Sequence, residues 1–283
     1  MTAAETIRGL LELMRPVNVI AASMLTFIGA FVAGGVTDVP LEVGAAVAAT
    51  GLAVGAGNAI NDYFDREIDR INQPNRAIPR GAVSPGSALG FSIVLFVAAV
   101  AVALTLPWLA VAIAAVNLVA LIAYTEFFKG LPGLGNALVA YLVGSTFLFG
   151  GAAVGEIGPS IVLFVLAALA TLTREIIKDV EDIEGDREQG LNTLPIAIGE
   201  RRALQVATAL LVVAVLASPI PYLHEDFGIA YLLVVIPADA VMLSAVITSF
   251  DDPTAAQSRL KYGMFLAALA FIIGRAAVGV SVL

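Results

Sequence analysis

The distribution of apolar residues limits what this chain can fold into more than any other feature. Nine runs of about 20 mostly apolar residues recur along its 283 positions, at about 17–37, 42–61, 86–106, 108–127, 133–154, 160–178, 203–222, 228–248 and 262–282. That is the length an α-helix needs to cross a bilayer. In hydrocarbon each backbone amide must find its partner within its own segment, so the pattern predicts an all-α, polytopic membrane protein, with one domain over 1–283. The composition agrees: 59% of residues are hydrophobic and 13% charged, against roughly 45–50% apolar and about 25% charged in soluble domains. The first 16 residues carry Glu5, Arg8, Glu12 and Arg15 and have no short apolar core followed by a cleavage-like site, so no separate signal peptide is expected.

The basic residues set the expected orientation. With the N-terminus on the cytoplasmic side, the inner segments hold 14 of the 15 Lys and Arg, from Arg8 and Arg15 through the Arg66–Arg80 loop to Arg259 and Lys261. The outer loops carry Asp38, Glu42, Glu156, Glu225 and Asp226 instead. Such asymmetry supports both the span count and the orientation. The fifteenth basic residue, Arg275, falls inside the last run, and Asp239 inside the eighth. A charge in hydrocarbon is expensive unless paired, so an Asp239–Arg275 ion pair is expected, with a proton or substrate path as the alternative.

Cysteine is absent, which excludes disulfides, thiolate catalysis and Cys metal sites, and a single histidine excludes multi-His centres. His224, in an outer loop, is expected to be inert. The net charge is −8, which argues against a nucleic-acid partner and fits either salt adaptation or an excess of functional carboxylates.

The long connections, 62–85 and 179–202, hold most of the charge. In the first, Asn61, Asp65 and Asp69 recur every four residues, a spacing that shares one helix face, with Asp62 beside them. In the second, Arg174, Lys178, Asp182 and Asp186 repeat the spacing, flanked by Glu175 and Asp179. Gly185 is a poor residue for a helix interior, which places Asp186 just past the helix end. Hard cations such as Mg²⁺ take one or two carboxylates plus substrate phosphates, so two such ladders point to a Mg²⁺-diphosphate site at a membrane surface. For either ladder alone, the competing reading is a solvated charge run supported by pairs with Arg66, Arg70 and Lys178. Two at matching depth and spacing weigh against it. Each ladder follows the second helix of a four-helix set, a weak sign of an internal repeat.

The segments Asn61-Asp62-x2-Asp65-x3-Asp69 with Asn75-Arg76-x2-Pro79-x-Gly81, and Lys178-Asp179-x2-Asp182-x2-Gly185-Asp186 with Thr193-Leu194-Pro195, resemble the two aspartate motifs of UbiA-type intramembrane prenyltransferases. Tyr124-Thr125-x3-Lys129-x5-Gly135-Asn136 is similar to that family's inner loop, and Arg15-Pro16-x-Asn18 also fits. The resemblance spans essentially the whole chain. It implies nine helices around a central apolar cavity open to lipid, capped on the cytoplasmic side by both motifs. It further implies that Asn61, Asp65, Asp69, Asp182 and Asp186 bind Mg²⁺, with Asp62 and Asp179 assisting. Arg76, Lys129, Arg174 and Lys178 would hold phosphate oxygens, and Tyr124 would position the acceptor or touch the diphosphate. The wording of both motifs is close to the archaeal ether-lipid branch, which implies a geranylgeranyl diphosphate donor and a geranylgeranylglyceryl phosphate acceptor. Ala77-Ile78-Pro79-Arg80 departs from the expected Pro at its first position and Ser at its last; Arg80 then either adds a phosphate contact or is a surface substitution.

In such a site water must be excluded from an allylic cation, and aromatic faces can stabilise it. Tyr63, Phe64, Tyr141, Phe147 and Phe149 are candidates, with ordinary packing as the alternative for each. Asn18 and Asn117 either line the cavity or bond between helices. The rival functions are a relative acting on an aromatic or chlorophyllide acceptor, an ion-coupled transporter, and a non-catalytic scaffold.

Overall fold

A computed structural model describes residues 3–128, 130–224 and 226–281; Lys129, one of the expected phosphate contacts, lies outside the described residues. Among these residues all regular structure is helical. The helices are α1 (Ala3–Met14), α2 (Pro16–Ala33), α3 (Pro40–Phe64), α4 (Arg66–Asn72), α5 (Pro85–Ala103), α6 (Trp108–Ala123), α7 (Leu134–Ala153), α8 (Gly158–Glu181), α9 (Ile183–Glu188), α10 (Leu194–Ile198), α11 (Glu200–Ala217), α12 (Ile220–Leu223), α13 (Ile229–Thr248) and α14 (Pro253–Ser281). A π-helical turn, Tyr124–Phe128, extends α6. Proline opens α2, α3, α5 and α14, where its missing N–H costs nothing and its fixed φ suits the helix. Ser84 caps α5 by accepting from the Ser87 amide at 3.1 Å.

Among the described residues, eight helical segments are long and apolar enough to cross a membrane: α2, α3, α5, α7, α8, α11 with α12, α13 and α14. The run expected at 108–127 forms a shorter α-helix of 16 residues before its backbone loosens into the π turn. The run expected at 262–282 begins nine residues earlier, at Pro253. Hydropathy missed that start because Gln257, Arg259 and Lys261 make the first turns polar.

Short connections make successive helices antiparallel, and close glycine contacts fix the register. A side chain on Gly29 of α2 would collide with the Phe147 backbone of α7, and one on Gly150 of α7 with the Thr26 carbonyl. Small residues let membrane helices approach this closely. Gly35, just past α2, abuts Val154, just past α7. The two helices are therefore parallel, and their first residues share the opposite end of the bundle. That end collects Arg15, the end of α3, the start of α7 and the end of α8.

Three apolar clusters hold the bundle. Ile176, Ile177, Leu204, Leu211, Val246 and Leu260 join α8, α11, α13 and α14. Ile28, Phe147, Leu163, Tyr231, Val235 and Phe271 join α2, α7, α8, α13 and α14. Ala46, Ala49, Ala103, Leu106, Ala110 and Phe149 join α3, α6 and α7 to the end of α5. A fourth cluster pins α1 and the 73–83 loop onto α3 and α5 through Leu13, Ala59, Ala77, Ile78, Val83 and Ala88. Between α2, α7, α8, α11, α13 and α14 lies a mainly apolar cavity of about 560 Å³, with α3, α5 and α6 outside its wall.

The expected Asp239–Arg275 pair does not form. Ser218 donates to Asp239 Oδ2 at 2.6 Å, and the Arg275 guanidinium lies against Gly34 at the C-terminal end of α2. There the unsatisfied helix carbonyls favour a cation. Lying within two membrane-spanning runs says nothing about which face each side chain takes.

Candidate active site

Each ladder sits where a long helix breaks. α3 ends at Phe64 and α4 starts at Arg66, leaving Asp65 at φ −81°, ψ 1°. α8 ends at Glu181 and α9 starts at Ile183, leaving Asp182 at φ −91°, ψ 6°. Both residues occupy the sparsely populated bridge between helix and strand conformations. The four-residue backbone bonds nevertheless continue through each break. Asp65 N–H bonds Asn61 C=O at 2.9 Å and Asp69 N–H bonds Asp65 C=O at 2.9 Å; Asp182 N–H bonds Lys178 C=O at 2.9 Å and Asp186 N–H bonds Asp182 C=O at 3.0 Å. The single unbroken helix face expected for each ladder is thus corrected to a helix, a one-residue hinge and a short second helix. Asp186 lies inside that second helix rather than beyond the helical region, and Gly185 is accommodated there.

Within the first ladder the carboxylates divide. Asp62 and Asp69 are buried. Arg15 donates to Asp62 Oδ1 at 2.5 Å, and Arg76 reaches Asp69 Oδ2 at 2.6 Å and Asp62 Oδ1 at 3.5 Å. Burying two carboxylates is tolerable only with such partners. Arg15 takes a left-handed backbone, φ 53°, as it turns from α1 into α2, and Asn58 donates to the Met14 carbonyl at 2.8 Å to hold that corner. Arg66 and Arg70, expected to pair with the aspartates, lie instead on Glu67, at 3.6 and 2.7 Å. Asn61 and Asp65 are exposed, and neither side chain has a partner among the described residues.

The second ladder is arranged differently. Asn136 donates to Asp179 Oδ2 at 2.8 Å. Arg174 donates to Glu175 at 2.7 Å and to Gln257 of α14 at 2.8 Å, and Glu181 accepts from Thr254 at 2.9 Å and from Gln257. Lys178 and Asp182 are exposed, and no hydrogen bond or ion pair engages the side chains of Lys178, Asp182 or Asp186 among the described residues. Flanking protein pushes the Asp182 carboxyl above its ordinary range; Lys178 opposes this, while Glu181 and Asp186 add to it. Tyr124, in the π turn, is near enough to Glu175 and Asp179 to feel both charges. Past the ladder, the Asn192 amide bonds the Gly130 carbonyl at 2.9 Å, stitching the loop after α9 to the loop after α6.

Both ladders therefore stand at one end of the bundle, with α2 and α7 between them. No described side chain bridges them directly. Among the described residues, no three acidic or imidazole side chains are gathered closely enough to enclose a metal. What the ladders offer is a set of separate oxygen donors, Asn61, Asp65, Asp182 and Asp186. This set fits Mg²⁺, which demands oxygen, keeps waters and shares its coordination with substrate phosphates. Asp69 is less open, since Arg76 holds one of its oxygens.

The cavity wall corrects the expected aromatic lining. Only Phe147 of the five candidates lines it, joined by Phe265 and Phe271. Phe149 is buried against α3 and α6, Tyr141 packs edge-on against Phe164, Tyr63 stacks under Arg66, and Phe64 is exposed. Periodicity could have placed Phe265 and Phe271 in a helix, but not on its inner face. Asn18 lines the cavity; Asn117 does not, and its buried side-chain oxygen has no hydrogen-bond partner among the described residues. Arg80 donates to Glu12 at 2.5 Å and to the Asn75 carbonyl at 2.7 Å, so it ties its own loop to α1.

A family model described as the UbiA prenyltransferase family matches residues 22–269. The digeranylgeranylglyceryl phosphate synthase of Natronomonas pharaonis is 64% identical over 275 residues, covering 97% of this chain and 99% of its own length. A solved structure concerned with digeranylgeranylglyceryl phosphate synthase in membranes is 36% identical with a TM-score of 0.85, covering 96% of this chain and 99% of that one. A UbiA homolog from Archaeoglobus fulgidus bound to GPP and Mg²⁺ has a TM-score of 0.70 at 20% identity, with 96% and 99% covered; at that identity the likeness concerns the fold.

Proposed function

This chain belongs to the UbiA prenyltransferase family, and from that premise we propose that it transfers a geranylgeranyl group from geranylgeranyl diphosphate to the free hydroxyl of geranylgeranylglyceryl phosphate, in a Mg²⁺-dependent reaction. The observation that carries this reading is the pair of unpartnered carboxylates, Asp65 and Asp182, at matching helix breaks on one end of a bundle that encloses an apolar cavity. The identity of the acceptor rests on the 64% identical relative.

In the reaction the allylic C–O bond of the donor breaks and its electron pair leaves with diphosphate. The acceptor oxygen forms the new C–O bond, giving an ether, diphosphate and a proton. Bound Mg²⁺ would supply neutralising charge at the departing diphosphate. Asn61, Asp65, Asp182 and Asp186 would hold it, with Asp69 at the edge of the set. Lys178 would meet a diphosphate oxygen as a point charge. Arg76 and Arg15 hold Asp62 and Asp69 in place, and Asn136 orients Asp179. Tyr124 would orient the acceptor. The apolar wall around Phe147, Phe265 and Phe271 excludes water that would otherwise capture the allylic centre. The concentration of basic residues at the ladder end supports a cytoplasmic site with the N-terminus inside. A transporter would carry its carboxylates near the middle of the span; these lie at its end.

The test is an assay with radiolabelled geranylgeranyl diphosphate, with and without divalent metal. The acceptors are geranylgeranylglyceryl phosphate, an aromatic acid and chlorophyllide. The expected result is metal-dependent label in the ether product. Label in the aromatic or chlorophyllide product alone would move the protein to another branch of the family.

A further inference from the structure

We propose that Lys261, supported by Arg174, binds the phosphate of the acceptor at a position distinct from the end that takes the donor's diphosphate. This rests on the acceptor named above. Among the described residues, the cavity is lined by two basic side chains, Arg174 of α8 and Lys261 of α14. Arg174 is already held by Glu175 at 2.7 Å and by Gln257 at 2.8 Å. Gln257 and Lys261 are four residues apart on α14 and so share a face, which places Lys261 one turn deeper than the Arg174 contact. The Lys261 side chain is exposed and has no hydrogen bond or ion pair among the described residues. With Glu175 matched by Arg174, Lys261 is a surplus cation on the rim of a mainly apolar cavity, in the polar first turns of α14. The remaining acid on that wall, Asp239, is engaged by Ser218 at 2.6 Å.

A ligand that supplies the missing anion and also fills the apolar space is an amphiphile with a phosphate head. A phosphate monoester carries about −1.5 to −2 charges at neutral pH, enough for Lys261 and the exposed side of Arg174. The donor's diphosphate belongs one turn further out: Lys178 and Asp182, the outer rungs of the second ladder, are not part of the cavity wall. In the proposed acceptor the free hydroxyl sits on the carbon next to the one bearing the phosphate ester. Fixing that phosphate at Lys261 and Arg174 therefore holds the hydroxyl close to the donor's first carbon. It also makes the phosphate the feature by which this enzyme selects its acceptor.

The test measures KM for acceptor and donor separately in the full-length wild-type, Lys261→Gln and Lys261→Arg proteins. The acceptors are geranylgeranylglyceryl phosphate and its phosphate-free alcohol. Loss of a charge-assisted contact predicts an acceptor KM raised about tenfold or more in Lys261→Gln, with the donor KM unmoved. The preference for the phosphorylated acceptor shrinks by the same factor, and Lys261→Arg restores it. A measurement on the wild type alone backs this up. Glycerol phosphate is expected to compete with the acceptor and not with the donor. An unchanged acceptor KM in Lys261→Gln, an equal rise in both KM values, or competition by glycerol phosphate against the donor would overturn the assignment. A wild-type protein that transfers label only to an acceptor lacking phosphate would instead sink the reading of function on which it rests.

Discussion

The two ladders share a backbone device but differ in how their charge is balanced. In the first, buried Asp62 and Asp69 depend on cations brought from elsewhere, Arg15 at the α1–α2 corner and Arg76 in the following loop. In the second, the ladder includes its own cation, Lys178, and the flanking Asp179 is steadied by a neutral amide, Asn136. The first half thus takes its cations from the α1–α2 corner and the following loop, while the second carries its cation on α8 and takes neutral partners from α7 and α14. What the halves have in common is the open carboxylate at the hinge. On the proposed function, the comparison teaches that the hinge would carry the chemistry and the surroundings the stability.

The largest expected effect tests the common part. Asp65→Asn and Asp182→Asn each remove one open oxygen charge from an equivalent hinge. Each is expected to lower kcat by about a hundred- to a thousandfold, with little change in melting temperature, because neither carboxylate has a partner to lose. Steady-state kinetics on folded, detergent-extracted protein checks this. A severe loss in one variant and a mild one in the other would break the equivalence of the two halves.

The next effect tests the difference. Arg76→Ala leaves Asp69 buried without its 2.6 Å partner. Stranding a buried charge is costly, and allowing for the partial exposure of Arg76 the loss is about 2–3 kcal/mol. Asn136→Ala removes a neutral donor from partly buried Asp179, at about 1 kcal/mol. Thermal melting in detergent should therefore drop further for Arg76→Ala, by about 5 °C against about 2 °C. A reversed order would show that the second half leans harder on its neutral partner than the first does on its cations.

Much of this was legible in the chain, and the parts that were not share a cause. The apolar runs predicted the helices because burying a backbone in lipid leaves few alternatives. The four-residue spacing found both ladders because the backbone bonds keep that register even across the hinges. The hinges themselves were hidden, since neither Asp65 nor Asp182 is a helix breaker. Pairings between distant segments were hidden too: Arg80 with Glu12, Asn136 with Asp179, and Arg174 with Gln257 span 68, 43 and 83 residues. The failed Asp239–Arg275 pair and the misplaced Tyr141 and Phe149 mark the same limit. Depth along a helix can be counted from sequence, whereas the direction of a side chain is set by neighbours that arrive from elsewhere.

The smallest effect sharpens the account of imported contacts at its edge. Arg80, where the family resemblance leads one to expect Ser, links its loop to Glu12 of α1. The Arg80 hydrogen bond is the main reason the Glu12 carboxyl is held below its ordinary range, with Arg8 adding to it. A carboxyl whose folded value is depressed contributes stability above its unfolded value and loses it as pH falls through the folded one. The contact is thus present at neutral pH and fades in acid, below the ordinary carboxylate range. Both groups meet solvent, so the contribution is small and screened by salt. Arg80→Ser should leave kcat unchanged and lower the melting temperature slightly at low ionic strength and neutral pH. The difference from wild type should vanish at molar salt and at acidic pH. Comparing melting curves of the two proteins across salt and pH decides it. A deficit in Arg80→Ser that persists in molar salt would mean that Arg80 contributes by packing rather than by charge, and a fall in kcat would return it to the phosphate site.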